Sequence, residues 1–374
     1  MTFETYPFEK LNNLLEKITP NADFEPLSLT IGEPQFLTPK FILDELNKTA
    51  SLLNKYPKTS GESILRNAML TYLKNRFNLT LDNSEIIPTF GTREVLFNFP
   101  QFLLHDIENP IIAFPNPFYQ IYEGASKASR AKTIYLNLTS QNNFQPIIDE
   151  KKLSQCDLVI INTPNNPTSS VMLIDELKKW VKLALKYNFV LLNDECYIDL
   201  YLDKPLPSLL NASIEVGNSE FKNILVINSI SKRSSAPGLR SGFIAGDKRI
   251  LKEYMTYRTY VGCASPLPLQ HASAVAWADQ SHVDSFRAKY IKNFEIAKEI
   301  LGVKPPLATF YIWLEVDNEI EFTKRLYRDY NLKVIAGSFL GREEQGKGFI
   351  RLALVYEEDK TREALIRIKK ALKE

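Results

Sequence analysis

The chain has 374 residues, 44% of them hydrophobic, with 46 basic against 44 acidic side chains. That size and apolar content can bury a large core split over two domains, or over one large domain with an appendage, while a formal charge of +2 lacks the basic excess that nucleic acid or an anionic membrane surface requires. The three cysteines (Cys156, Cys196, Cys263) form no CxxC pair and the three histidines are scattered, so neither a disulfide framework nor a metal centre is expected, and a small-molecule partner in a reducing cytoplasm fits best.

Near the N-terminus Phe8, Leu11, Leu14, Leu15 and Ile18 recur at helical spacing among charged residues, which predicts an amphipathic helix and not a signal peptide. Short apolar runs then alternate with longer helical patterns: "PIIAF" (110–114), "DLVIIN" (157–162), "FVLLND" (189–194) and "NILVIN" (223–228) read as strands. Between them "DELKKWVKLALKY" (175–187) puts Leu177, Trp180, Val181 and Leu185 on one helical face. This order predicts an α/β chain with a mostly parallel central sheet flanked by helices, in which ligands gather at the carboxyl ends of the strands. The longest charge-free stretch, Thr259 to Ala278, is interrupted by Pro266, Pro268, Gln270 and His271, so no membrane span is expected. Beyond about Pro268, long charged helices and the strand candidates "TFYIWLEV" (309–316) and "FIRLALVY" (349–356) predict a second, smaller α+β unit. The expected division is an N-terminal segment (1–40) joining the smaller unit, a large ligand-binding domain (41–268) and a small C-terminal domain (269–374).

The strand ends carry the chemistry. After "IIPTF", Gly91-Thr92-Arg93-Glu94 opens the helical pattern "REVLFNFPQFLL", directing free N–H groups and the Thr92 hydroxyl toward an anion. After "DLVIIN" comes "TPNNPTSS", with Asn165 and Asn166. "FVLLN" ends in Asp194, followed by Glu195, Cys196 and Tyr197. After "NILVIN" come Ser229, Ser231 and Lys232, with Arg240 eight residues past the lysine. A lysine at the lip of an apolar strand is partly desolvated, which disfavours its ammonium form and suits a Schiff base with a carbonyl. Taken singly, these strings are a glycine turn, a cap, a capping aspartate and a solvated basic loop. Together they supply a lysine for an aldehyde, an anion cup for a phosphate, an aspartate for a ring nitrogen and polar groups for a ring hydroxyl. Pyridoxal 5'-phosphate (PLP) carries all four.

The motifs "IGEP", "YPKTSGESILR", "FGTRE", "PNPFYQIY", "NTPNNPT", "NDECY", "SISKRSSAPGLRSG" and "FIRLAL" span nearly the whole chain, and in this order they resemble the class I/II aminotransferases of PLP fold type I. The resemblance implies that Lys232 forms the Schiff base and acts as general base, that Asp194 pairs with the ring nitrogen, and that Asn166 and Tyr197 hold the ring hydroxyl. It maps Gly91, Thr92, Arg93, Ser229, Ser231 and Arg240 onto the phosphate cup, Arg93 chiefly through its backbone N–H, and Tyr119 onto the residue stacked on the ring. Gly32 and Arg351, with Asn166, match the substrate clamps, Arg351 as the fork for the α-carboxylate. Tyr56 matches a tyrosine that reaches the phosphate of a neighbouring subunit, which implies a homodimer. The chain departs from the family pattern at Ser169, where glycine is usual, and at Phe90, where a smaller or polar residue is common.

The implied reaction is a ping-pong transamination. "FGTREVLFNF", "PNPFYQIYEGA", "YRTYVGCASPLPLQHASAVAWADQSHV" and "ATFYIWLEV" resemble the N-succinyldiaminopimelate aminotransferase branch of lysine and cell-wall precursor biosynthesis, which implies N-succinyl-L,L-2,6-diaminopimelate and 2-oxoglutarate as substrates. A doubly anionic substrate arm needs further cations beyond Arg351, and Arg258 is a candidate. An aspartate, aromatic or alanine aminotransferase, or a PLP lyase of the same fold, is the alternative. A nicotinamide dehydrogenase would show G-x-G-x-x-G after a strand, and "GKGFIR" (346–351) misses that pattern. A noncatalytic PLP-binding regulator would bring a fused DNA-binding module, for which the first thirty residues are too few.

Overall fold

The computed structural model describes residues 2–373. Its centre is a seven-stranded sheet of β1 (Ile86–Thr89), β2 (Ile111–Asn116), β3 (Lys132–Asn137), β4 (Leu158–Asn162), β5 (Val190–Asp194), β6 (Ile224–Ser229) and β7 (Gly242–Gly246). The strands lie in the order β1-β7-β6-β5-β4-β2-β3. β2 to β6 run parallel, and β7 is antiparallel to both β6 and β1. Every residue of β4, β5 and β6 is buried, as expected where helices cover both faces of a parallel sheet and the strands read as unbroken apolar runs.

The helix Ile174–Tyr187 shows how one crossover is built. Leu177, Trp180, Val181 and Ala184 are buried along one stripe, and Leu185 packs at its edge. Asn188, at φ 58°, ends the helix in the left-handed region and turns the chain into β5. β5 in turn delivers Asp194 to the carboxyl end of the sheet.

The N-terminal helix, α1, spans Pro7–Leu15 and buries Leu11 and Leu15. Ile18, expected on the same helix, lies beyond its end. Pro20 offers no N–H and disfavours helical geometry at Thr19, so the helix stops short of it.

A second sheet of three antiparallel strands contains β8 (Tyr311–Glu315), β9 (Ile335–Ala336) and β10 (Phe349–Ala353), in the order β9-β10-β8. β8 begins two residues later than its apolar run because Thr309 sits at φ 81°. A short strand, Leu27–Ser28, pairs in parallel with Leu332–Lys333. Leu27 and Leu29 thereby join Phe294, Leu326, Ile350 and Leu352 in one apolar cluster. Among the described residues no helix is long and apolar enough to cross a membrane.

Candidate active site

A cavity of about 800 Å³ opens at the carboxyl ends of the central strands. Its wall includes every site residue expected from the sequence except Gly91, Tyr56 and the distal-carboxylate candidate Arg258. Tyr56 is fully exposed and takes no part in the cavity of its own chain.

Lys232 lies in the short helix Ile230–Arg233 that follows β6. Ser229 anchors this turn: its Oγ accepts the Ser231 N–H at 3.1 Å and lies 2.8 Å from Ser231 Oγ. The Lys232 ammonium donates to the carbonyl of Gly32. Burial brings the lysine down from 10.5 to about 8, aided by the nearby cations Arg351 and Arg240 and opposed by Cys196 and Glu33. Desolvation favours the neutral amine, the form that attacks a carbonyl.

Across the cavity, Asp194 Oδ2 accepts a 2.9 Å hydrogen bond from Tyr122, and Oδ1 accepts the Cys196 N–H at 3.2 Å. Burial pushes the carboxyl above its usual range, against the pull of these donors, so it would gain from a cationic partner. Asn162, at the end of β4, ties two strand ends together: Nδ2 donates to the Asp194 carbonyl at 2.8 Å, and Oδ1 accepts the Asn166 N–H at 2.8 Å.

The anion cup forms where β1 passes into the twelve-residue helix α2 (Thr92–Leu103). Gly91 caps it at φ 74°, and a Cβ there would lie 2.3 Å from Arg240 Nη2. Only glycine lets the guanidinium come so close to the first turn of the helix. With the helix N-terminus and the Ser229 and Ser231 hydroxyls, Arg240 completes a donor set suited to a phosphate.

Arg351, in the middle strand of the small sheet, is buried. Nη1 donates to Asn166 Oδ1 at 2.7 Å, Nη2 donates to the Thr30 carbonyl, and Nε is buried without a partner. The guanidinium also lies 4.4 Å from the ring centroid of Tyr311. Among the described residues all its hydrogen-bond partners are neutral, so its charge is free for a carboxylate.

Two arginines differ from expectation. Arg93 brings its side chain, and not only its backbone, to the wall: Nε and Nη2 donate to Tyr119 Oη at 3.0 and 2.8 Å, and Nη2 to Tyr6 Oη at 3.3 Å. Arg258, the candidate for a distal carboxylate, does not reach the cavity. It is buried and donates to Glu94 Oε1 and Oε2 at 2.7 and 3.2 Å and to the Thr59 carbonyl at 3.2 Å. A buried cation already matched to a buried carboxylate has no charge left for substrate.

Ser169 occupies the left-handed region, φ 60°, where glycine would be at ease. Its hydroxyl lies 2.6 Å from Thr309 Oγ1 and donates to the Tyr311 carbonyl at 2.9 Å, which offsets the strain. The motifs did not single out Tyr122 or Tyr311. Tyr122 follows Tyr119 by three residues, a spacing that could have flagged it, whereas Tyr311 Oη lies 3.0 Å from Tyr197 Oη across 114 residues of chain.

Residues 25–368 match the family model described as aminotransferase class I and II. The crystal structure of aminotransferase AspB from Helicobacter pylori superposes with a TM-score of 0.98 at 49% identity, covering 100% of both chains. An aminotransferase from Neisseria meningitidis superposes at 0.94 with 39% identity, covering 99% of this chain and 98% of its own. An LL-diaminopimelate aminotransferase from Maridesulfovibrio salexigens is 27% identical over 387 aligned positions, 99% of this chain and 97% of the relative. The chain belongs to the class I and II aminotransferases, with the fold type I architecture.

Proposed function

We propose that the cavity holds PLP and that the enzyme moves an amino group from an amino acid to 2-oxoglutarate. The observation that carries this reading is Lys232: a partly buried lysine whose amine is brought down to about 8 by desolvation, in one cavity with a buried carboxylate, an anion cup and a buried arginine that has no acidic partner among the described residues. The donor set fits the cofactor group by group. The helix N-terminus at Gly91 and Thr92, with Ser229, Ser231 and Arg240, would hold its phosphate. Tyr119 would stack on the ring, Asp194 would face the ring nitrogen, and Asn166 and Tyr197 would face the ring hydroxyl. A second copy of the chain would bring its own Tyr56 to the phosphate; the exposure of the large apolar side chains Tyr56, Leu53 and Tyr260 supports such a homodimer.

When bound, the cofactor supplies an aldehyde that captures amines and a ring that draws electrons from the substrate α-carbon. The chain's own residues do the rest. Arg351 grips the α-carboxylate with its planar fork and orients the Cα–H bond toward Lys232. As a neutral amine, Lys232 Nζ would take the α-proton and hold it as an ammonium, ready to give it back. Asp194 keeps the ring-nitrogen proton in place. The apolar wall contributed by Phe8, Phe97 and Ile121 limits water around the reacting atoms.

For the donor, N-succinyl-L,L-2,6-diaminopimelate is our reading. The cavity reaches past the cofactor region to Tyr6, Phe8 and Phe97, room that suits a long acylated arm. Arg93 replaces Arg258 as the cation for the distal carboxylate, because its guanidinium is held only by phenols. The similarity to the LL-diaminopimelate aminotransferase of Maridesulfovibrio supports diaminopimelate chemistry. The test is a panel of N-succinyl-L,L-diaminopimelate, L,L-diaminopimelate, aspartate, phenylalanine and alanine with 2-oxoglutarate, read as glutamate formed. The highest kcat/KM for the succinylated donor supports the reading; the highest for aspartate, an aromatic acid or alanine overturns the donor, and no glutamate from any donor overturns the acceptor.

A further inference from the structure

Tyr311 touches three parts of the site at once. Its hydroxyl lies 3.0 Å from that of Tyr197. The Arg351 guanidinium sits 4.4 Å from its ring centroid. Gly32, whose carbonyl accepts the Lys232 ammonium, has no room for a side chain, since a Cβ there would fall 1.8 Å from Tyr311 Oη. The residue is also fixed from behind: its N–H donates to Thr309 Oγ1 at 3.0 Å and its carbonyl accepts from Ser169 Oγ at 2.9 Å.

We propose that Tyr311 is a positioning residue that donates its phenolic proton to Tyr197, turns the Tyr197 proton toward the ring oxygen of the cofactor, and so lowers the pH at which the Lys232–cofactor bond loses its proton. The inference rests on the PLP reading above.

Two phenols in contact form one hydrogen bond, and the surroundings decide which of them donates. The Arg351 guanidinium sits 4.4 Å from the Tyr311 ring centroid, and that contact favours Tyr311 as the donor of the pair. A hydroxyl that accepts one hydrogen bond donates a second more strongly. The Tyr197 proton is then left to point at the cavity, where the ring oxygen is expected. Donation into that oxygen draws charge away from it, and the neighbouring protonated nitrogen loses part of its stabilisation. The charged and titratable groups around this arrangement are Arg351, Cys196, Glu33, Arg240 and Lys232 itself, with Asp194 beyond Cys196 and Tyr290 packed against Tyr311. Tyr311→Phe leaves all of them in place and removes a single hydroxyl.

The experiment is a spectrophotometric pH titration of the holoenzyme, which reads the protonation of the Lys232–cofactor bond without turnover. Tyr311→Phe is expected to raise its apparent pKa by about one pH unit, a tenfold change in the protonation equilibrium. Tyr197→Phe should raise it further, and the double variant should match Tyr197→Phe alone, because Tyr311 acts through Tyr197. Replacing Tyr311 with 3-fluorotyrosine, a more acidic phenol of nearly the same shape, should shift the titration the other way. A Tyr311→Phe or fluorotyrosine protein that titrates like wild type, or a double variant in which the two shifts add in full, overturns the inference. Wild-type protein with no reducible Lys232–cofactor bond overturns the underlying reading and this inference with it; wild type that has the bond, beside an unmoved Tyr311→Phe titration, overturns this inference alone.

Discussion

Arg351 Nη1 donates a 2.7 Å hydrogen bond to Asn166 Oδ1, joining the middle strand of the small sheet to the turn that follows the central strand Leu158–Asn162. The arginine reaches the cavity already aimed, yet it is paired only with neutral acceptors and keeps one buried N–H unpartnered. A substrate carboxylate would complete it. Arg351→Ala is therefore expected to cost about 2–5 kcal/mol in kcat/KM for every carboxylate donor. Arg351→Lys should recover only part of that, because an ammonium cannot bind both carboxylate oxygens in one plane. Steady-state kinetics with a mono- and a dicarboxylic donor check this, and unchanged kcat/KM for both would remove Arg351 from the clamp.

Arg93 is expected to act on one class of donor. Its guanidinium rests on Tyr119 and Tyr6, which are neutral partners. Arg93→Met should lower the ratio of dicarboxylic to monocarboxylic donor efficiency by roughly tenfold, equivalent to about 1.4 kcal/mol. Competition assays with paired donors measure that ratio directly. An equal loss for both classes would assign the side chain to the scaffold.

The cofactor-free protein should register the burial of Lys232 in its stability. Its pKa falls from 10.5 to about 8 on folding. Between these two values the unfolded chain binds a proton that the folded chain does not, so stability rises with pH across that window. Below about pH 8 the lysine is charged in both states and the folded state carries the whole desolvation cost, up to about 3 kcal/mol at roughly 1.4 kcal/mol per pH unit. Apo Lys232→Met should thus be more stable than apo wild type at pH 7, with the gap closing above about 10.5. Urea unfolding at several pH values tests this, and a gap that does not change with pH would contradict it.

Ser169 makes a backbone prediction. Ser169→Ala keeps the strained left-handed Cβ, loses the hydrogen bond to the Tyr311 carbonyl and leaves Thr309 Oγ1 without its hydroxyl neighbour. A loss of about 1–3 kcal/mol follows. Ser169→Gly loses the same hydroxyl but relieves roughly 1–2 kcal/mol of strain, so it should lie closer to wild type. Chemical denaturation gives the order, and an alanine variant as stable as the glycine variant would refute it.

The strands that carry the site could be read from the sequence because each is a buried apolar run that ends abruptly in polar chemistry: Asn162, Asp194 and Ser229 are the last residues of their strands. Relationships across the chain were not visible in the same way. Arg258 shows its charge in the sequence, but its partner Glu94 is 164 residues away, and burial against that carboxylate decides its role. Tyr311 lies in the small sheet and Tyr197 in the turn after β5, and only the fold brings their hydroxyls together. Ser169 stood out as a departure from glycine, but the contacts that permit it come from Thr309 and Tyr311.

The most direct test of the account is chemical capture of the lysine. Cofactor-loaded protein is reduced with borohydride, digested with trypsin and mapped by mass spectrometry. The account predicts a single phosphopyridoxyl adduct, carried on the peptide that contains Lys232. An adduct on another lysine, or none on Lys232 in protein that retains the cofactor, would contradict it.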